Sequence, residues 1–243
     1  MTPGTVVLVV AAVFVASMVR ATFGFGEAVV GMPLLALLPI GLHTAISLIG
    51  LTGLTVALLA VITGWRHVDR PVLARLACAT VAGIPVGLAL VTLAPATVVG
   101  TTLGVFLVAY GGCSLARPGP SRLSRPGWAL PFGFAAGALG SAYNFNGVPV
   151  VVYGTLRQWD PHRFRGTLQA HFLVSGVLVV TGQGLGGLWT PDLFGLYGLA
   201  LPTILAATAL GTMLHRRIPA ERFSRIVHVV VIALGAVLVL NPA

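Results

Sequence analysis

Residues 20–33 read RATFGFGEAVVGMP and residues 141–149 read SAYNFNGVP; both runs set glycine, asparagine or charge inside a chain that is otherwise continuously apolar. A backbone shielded from water must find its hydrogen bonds within the protein. At membrane depth an irregular stretch is therefore tolerated only where it is buried in protein or lines a cavity. Whether the flanking segments cross a membrane decides the fold.

Of the 243 residues, 57% are hydrophobic and 8% charged, against about 25% charged in an ordinary soluble domain. This composition excludes a soluble globule. Apolar runs recur at 6–19, 45–63, 72–93, 98–115, 168–187, 193–213 and 226–240. A helix needs roughly 20 apolar residues to cross about 30 Å of hydrocarbon, so these runs predict transmembrane helices. The alternation of barrel strands is missing. The net charge of +9 comes entirely from arginines, which cluster between the apolar runs. Such clusters are topology signals, and no nucleic-acid partner is expected. Cys78 and Cys113 lie in apolar segments without CxxC or metal spacing and read as small core residues. The N-terminal MTPGTVVLVV lacks a basic region ahead of its apolar run, so it is expected to be retained as the first membrane segment.

The two interruptions fall at matching places in a duplicated unit. Trp65 and Trp189, Gly87 and Gly211, Pro95 and Pro219, and Gly111 and Gly235 are each 124 residues apart. Gly24 and Gly140, Gly31 and Gly147, and Pro33 and Pro149 are each 116 apart, which implies an eight-residue insertion in the second copy. The expected segments are 4–21, 27–41, 44–63, 72–93 and 97–115, then 127–142, 147–157, 167–188, 193–214 and 223–240. Arg66, Arg70, Arg75, Arg117, Arg122, Arg125, Arg157, Arg163, Arg165, Arg216, Arg217, Arg222 and Arg225 then lie in or beside loops on one face, which the positive-inside rule makes cytoplasmic. The opposite face has short connections near 42, 94–96 and 188–192 without arginine. Both termini are extracytoplasmic on this reading, and the two copies insert with opposite orientation, as in many secondary transporters. The expected architecture is an all-α polytopic membrane protein of two inverted-topology repeats, 1–116 and 127–243, joined by a cytoplasmic linker at 117–126. Each repeat holds full transmembrane helices plus a broken or re-entrant helical hairpin.

Segments 27–41 and 147–157 are too short to cross comfortably at 1.5 Å per residue. Paired with the segments before them, they form hairpins whose tips, FGFGE and YNFNG, meet near the membrane midplane. The start of each following half-helix offers unpaired N–H groups and the positive end of its dipole, a site for an anion. Gly24, Gly26 and Gly147 permit the turns and a close approach, and Pro149 suits an early helix position. Tyr143, Asn144 and Asn146 add donors, and Phe25 and Phe145 wall the site. The alternative is that small residues allow close helix packing and asparagines cap helix ends. Two breaks at matching positions favour the functional reading.

Ionisable residues inside the membrane are functional candidates. Arg20 and Glu27, seven residues apart, either pair across the hairpin or leave Glu27 to carry a coupling proton. His171 titrates near neutral pH in its ordinary state and is either a proton-coupling or a packing residue. Arg165 either attracts the anion to the inner mouth or anchors its helix. His43, His67, His162, His215 and His228 show no ligand spacing, and no cofactor or metal is expected. GFGEAV lacks the third glycine of a dinucleotide loop and follows no strand; GxSxG, HExxH and GxxxxGK[ST] are absent, so no catalytic set is visible.

At GFGEAVVGMP, NFNGVP, the Arg165 and Thr167 of FRGTLQAHFL, and GTMLHRRIPAERFSRIVHVVVIALG, the chain resembles the TauE/SafE sulfite exporter family of bacterial membrane transporters. The likeness covers nearly the whole chain. It implies a protein of the bacterial inner membrane that moves small sulfur-containing anions such as sulfite or organosulfonates, driven by the proton gradient. Gly24, Gly26, Asn144, Asn146 and Gly147 then line the substrate route. The chain departs from the usual glycine run by placing Glu27 in the first tip and by reading NFNG in the second. The expected function is a secondary transporter working by alternating access, its partners being an anionic substrate, protons and the lipid bilayer. The alternatives are a passive anion channel and a membrane-embedded subunit or enzyme. No signal for an oligomeric state is present.

Overall fold

The computed structural model describes residues 2–61, 67–116, 123, 125–214 and six residues between 232 and 240. Among them every regular element is helical. The helices are α1 (Pro3–Phe23), α2 (Glu27–Ala36), α3 (Leu42–Val61), α4 (Arg70–Leu93), α5 (Ala96–Ala116), α6 (Ala129–Tyr143), α7 (Gly147–Leu156), α8 (Pro161–Leu185) and α9 (Pro191–Leu214), with a 3-10 turn at Pro126–Trp128 before α6. Six of them, α1, α3, α4, α5, α8 and α9, are long and apolar enough to cross a membrane. Helices α2 and α7, with 10 residues each, are about 15 Å long and cross only half of it. The order of long and short elements is compatible with the duplication read from the sequence. The expected segment 223–240 and the linker at 117–126 lie largely outside the described residues. So do the repeat partners Trp65, Pro219 and Gly235.

Boundaries differ from expectation mainly at α8, which begins at Pro161 and not near 167. Asp160 accepts the backbone N–H groups of His162 and Arg163, and Pro161 needs no N–H in the first turn. Helix therefore starts in polar sequence that hydropathy alone reads as loop. Helix α2 likewise stops at Ala36, five residues short of the expected end.

Helices in lipid gain little from apolar contact alone, so close packing decides which of them pair. The tightest pair is α4 with α6. A side chain at Gly83 or Gly87 would collide with the backbone carbonyls of Phe134 or Ala138, and one at Gly137 with that of Thr80. Gly211 of α9 packs against Met18 and Ala21 of α1 in the same manner. Large apolar side chains such as Val86, Val105, Leu199 and Leu205 point outward, where the bilayer takes the place of a core partner. Cys78 and Cys113 are also exposed. The expectation of core cysteines fails because the outer faces of α4 and α5 are as apolar as their inner faces, and only helix rotation distinguishes the two. On the polar side, Arg163 at the start of α8 bonds Asp69 ahead of α4 through Nε at 3.1 Å, and Thr167 accepts the Asp69 backbone N–H at 2.9 Å.

Candidate functional site

Both interruptions form helix ends that face each other. Helix α1 stops at Gly24 (φ 82°), whose N–H donates to the Arg20 carbonyl at 2.7 Å, and the chain turns again at Gly26 (φ 96°) into α2. These left-handed conformations are open to glycine without a steric cost. Helix α6 stops at Asn144 (φ 61°), a conformation asparagine tolerates, with its N–H on the Gly140 carbonyl at 2.8 Å. Neither Gly26 nor Asn146 caps its following helix with a side chain, whereas Asp69 and Asp160 cap α4 and α8. Helices that start at the tips thus lack a side-chain cap; α2 carries the acidic Glu27 in its first turn and α7 carries no acidic residue there.

Between the tips lies a narrow cavity of about 40 Å³, against the roughly 10–15 Å³ that one water needs. Gly26, Glu27, Asn146 and Gly147 line it from the tips, and Gly50, Gly53, Phe172 and Gly176 from α3 and α8. Phe25 and Phe145 complete the wall. Glycine is required for the closeness of this assembly. A Cβ on Gly147 would enter the Phe172 ring, and one on Gly53 would lie 3.0 Å from both Arg20 Nη1 and Glu27 Oε2.

Arg20 Nη1 donates to Glu27 Oε2 at 2.7 Å, and the two residues are 7% and 4% exposed. The guanidinium stacks over the Phe172 ring, 4.5 Å from its centroid, a favourable cation–π geometry. Arg20 also lines a second, wider space of about 410 Å³ bounded by Arg165, Gln169, His67, His162 and Gly24. Gln169 Nε2 donates to the Gly24 carbonyl at 2.8 Å and so ties α8 to the first tip.

At the second tip the amides are committed to protein partners. Asn144 Nδ2 donates to the Ile46 carbonyl at 2.6 Å, and its Oδ1 accepts from Gln183 at 3.3 Å. Asn146 Nδ2 donates to Ser175 Oγ at 2.6 Å. Ser175 lies 3.5 Å from His171 Nδ1, and His171 Nε2 lies 3.3 Å from Thr80 Oγ1.

Several sequence-predicted site residues stand elsewhere. Tyr143 is buried away from the cavity and donates its hydroxyl to the Val99 carbonyl at 2.9 Å, because one residue of α6 turns the side chain by about 100°. His171 is fully buried behind Ser175 and Asn146 and does not reach the cavity. Gly24 and Arg165 line the wider space and not the cavity between the tips. Sequence reasoning missed Gly50, Gly53, Gln169, Phe172, Gly176 and Gln183. A signal was present: Gln169, Phe172, Gly176 and Gln183 are spaced by three, four and seven residues and share one face of α8. Among the described residues, no three His, Cys, Asp or Glu side chains gather as a metal site.

No curated protein and no solved structure matches the chain. The family model described as Sulfite exporter TauE/SafE matches residues 9–238. With both tips inside that span and six helices of membrane-crossing length, the chain is a multi-pass membrane protein and belongs to the TauE/SafE sulfite exporter family.

Proposed function

We propose that the protein is a secondary transporter of small sulfur oxyanions, sulfite or an organosulfonate, that binds them between the two tips and releases them by alternating access. The observation that carries this reading is an order shared by two helices. Along α3 the wider space touches Val56, Leu59 and Ala60, the tip cavity touches Ile49, Gly50 and Gly53, and Asn144 bonds Ile46. Along α8 the same three levels are Arg165 to Gln169, Phe172 to Val180, and Gln183. A wider space, a small cavity and a polar network thus follow one another on both walls. That sequence suits a site open to one side at a time. The wider space holds Arg165, which would raise the local concentration of an anion.

The arginine-rich face is cytoplasmic on this reading, with both termini outside and the protein in the bacterial inner membrane. In a variant lacking Cys78 and Cys113, Pro95→Cys is then labelled by an impermeant maleimide added outside and Arg125→Cys only after permeabilisation. Glu27 carries the coupled proton, being the acidic residue at the first tip.

Counterflow in proteoliposomes tests the function. Unlabelled sulfite trapped inside drives transient uptake of labelled sulfite through a transporter but not through a channel. Methanesulfonate and longer sulfonates in competition define the substrate. Glu27→Gln is expected to keep counterflow and lose accumulation driven by a proton gradient.

A further inference from the structure

The tip cavity and the wider space meet at one side chain. Arg20 lines both, is 7% exposed, and uses only Nη1, on Glu27. Its Nε and Nη2 have no hydrogen-bond partner. Buried polar groups in folded proteins are nearly always paired, so two orphan donors on one guanidinium need a reason. They are also the two that act together: Nε and Nη2 form the side-on edge with which arginine grips two oxygens of one oxyanion. Phe172 covers one face of the group and Glu27 holds its other edge, which fixes the direction in which the free edge points.

We infer that the Nε–Nη2 edge of Arg20 is the ligand for the transported oxyanion, received where the wider space and the tip cavity join, with Glu27 positioning the guanidinium from Nη1. This deepens the transport reading and rests on it. It favours an anion with two acceptor oxygens on one centre, as in sulfite or a sulfonate, which gives each donor its own acceptor, over a halide, on which both donors must share one atom. Glu27 then has a second effect. Its carboxylate lies beside the anion's seat and weakens binding while it is charged, so neutralising it tightens the complex.

Sulfite binding to the full chain in nanodiscs, measured by calorimetry with chloride and methanesulfonate as comparison anions, tests this. Glu27→Gln is expected to bind sulfite at least threefold tighter than wild type. Arg20→Met/Glu27→Gln, which removes both charges and leaves neither stranded, is expected to bind at least tenfold more weakly than Glu27→Gln. Arg20→Lys keeps the charge opposite Glu27 but lacks the side-on edge; it is expected to unfold near the wild-type temperature and to lose at least tenfold in sulfite affinity. Chloride is expected to compete at least tenfold more weakly than methanesulfonate. Wild-type sulfite affinity in Arg20→Lys, or equal affinity in Glu27→Gln and the double variant, overturns the assignment. If Asn146→Ala weakens sulfite binding while the Arg20 variants do not, the cavity is the site and Arg20 is not its ligand. If wild type binds neither sulfite nor methanesulfonate, the transport reading itself fails and takes the assignment with it.

Discussion

The two tips occupy matching positions in the chain and differ in how their polar groups are satisfied. At the first, two glycines with positive φ set a charged pair against the cavity, and Arg20 and Glu27 each keep polar atoms without partners. At the second, a single left-handed asparagine makes the turn, and the amides of Asn144 and Asn146 are bonded into α3 and α8. Unsatisfied buried groups are costly and satisfied networks rigidify. The first tip therefore holds the unpartnered polar atoms and the second a bonded network. The breaks fall at matching places of the duplication read from the sequence, and they are built differently.

The largest expected effect breaks the charged pair. Arg20→Met strands the Glu27 carboxylate in a buried setting, at a cost of about 3–5 kcal/mol, read as a fall in unfolding temperature or a loss of monodisperse protein in detergent. Adding Glu27→Gln recovers most of that loss. Were Arg20→Met as stable as wild type, the pair would carry no charge burden and the contrast between the tips would disappear.

Glycine substitutions sharpen the comparison because the two tips need glycine for opposite reasons. Gly147 has ordinary dihedrals but no room, since a Cβ there meets the Phe172 ring. Gly147→Ala is expected to cost about 1–3 kcal/mol by overpacking, and trimming the ring with Phe172→Leu relieves it. Gly26 has room, its nearest Cβ neighbour being Val19 at 3.4 Å, but sits at φ 96°. Gly26→Ala is expected to cost roughly 1–2 kcal/mol of left-handed strain; trimming Val19 gives no relief, and Gly26→Asn is tolerated better. Thermal unfolding of the single and double variants separates steric from backbone causes.

The asparagines come next. Asn146 has one N–H in use, on Ser175, and a second that can meet a ligand. Asn146→Ala is expected to reduce sulfite affinity roughly ten- to a hundred-fold, the worth of about 1.5–3 kcal/mol for a hydrogen bond to a charged group. Asn144 spends its amide on Ile46 and Gln183. Asn144→Ala is therefore expected to cost about 1 kcal/mol of stability with a smaller change in affinity. Equal affinity losses in the two variants would show that Asn144 meets the ligand as well.

Much of this plan was legible in the residues. Glycines inside an apolar run announced the tips, and the lengths of 27–41 and 147–157 announced half-helices, because backbone geometry and bilayer thickness leave few alternatives. The spacing of Arg20 and Glu27 also suggested their contact, since a seven-residue interval can close across a tight turn. What α3 contributes was not legible, whereas the spacing of the α8 residues was a signal left unread. Gly50 and Gly53 in GLTGLT look like any packing glycines, and only the folded arrangement shows that one borders Gln183 and Asn144 and the other the ion pair. Tyr143 was misplaced for the complementary reason: adjacency in sequence to Asn144 says nothing about which side of α6 it leaves. The cysteines failed similarly, because in lipid an apolar residue has no preferred side.

The smallest expected effect concerns helix starts, where charged caps stand against open tips. Asp160 caps α8 outside the membrane-spanning stretch, and the backbone N–H groups of Arg163 and His162 hold its carboxyl below the usual carboxylate range. A group whose folded pKa is depressed stabilises the fold above its unfolded value, about pH 4, and loses that contribution as pH falls through the folded value. Asp160→Ser keeps an acceptor without the charge. It is expected to unfold slightly below wild type at neutral pH, with the gap closing as the carboxylate titrates in acid; differential scanning calorimetry from pH 7 to pH 3 reads this. Such a gap would show how a helix N-terminus in this protein rewards a negative charge, even in the presence of water. Gly26 and Asn146 supply no such charge themselves; α2 has Glu27 in its first turn, and α7 has no acidic residue there. A gap that persisted unchanged into acid would mean that the Asp160 cap works as a neutral acceptor, and the open tips would then owe their attraction for an anion to Arg20 more than to the helix ends.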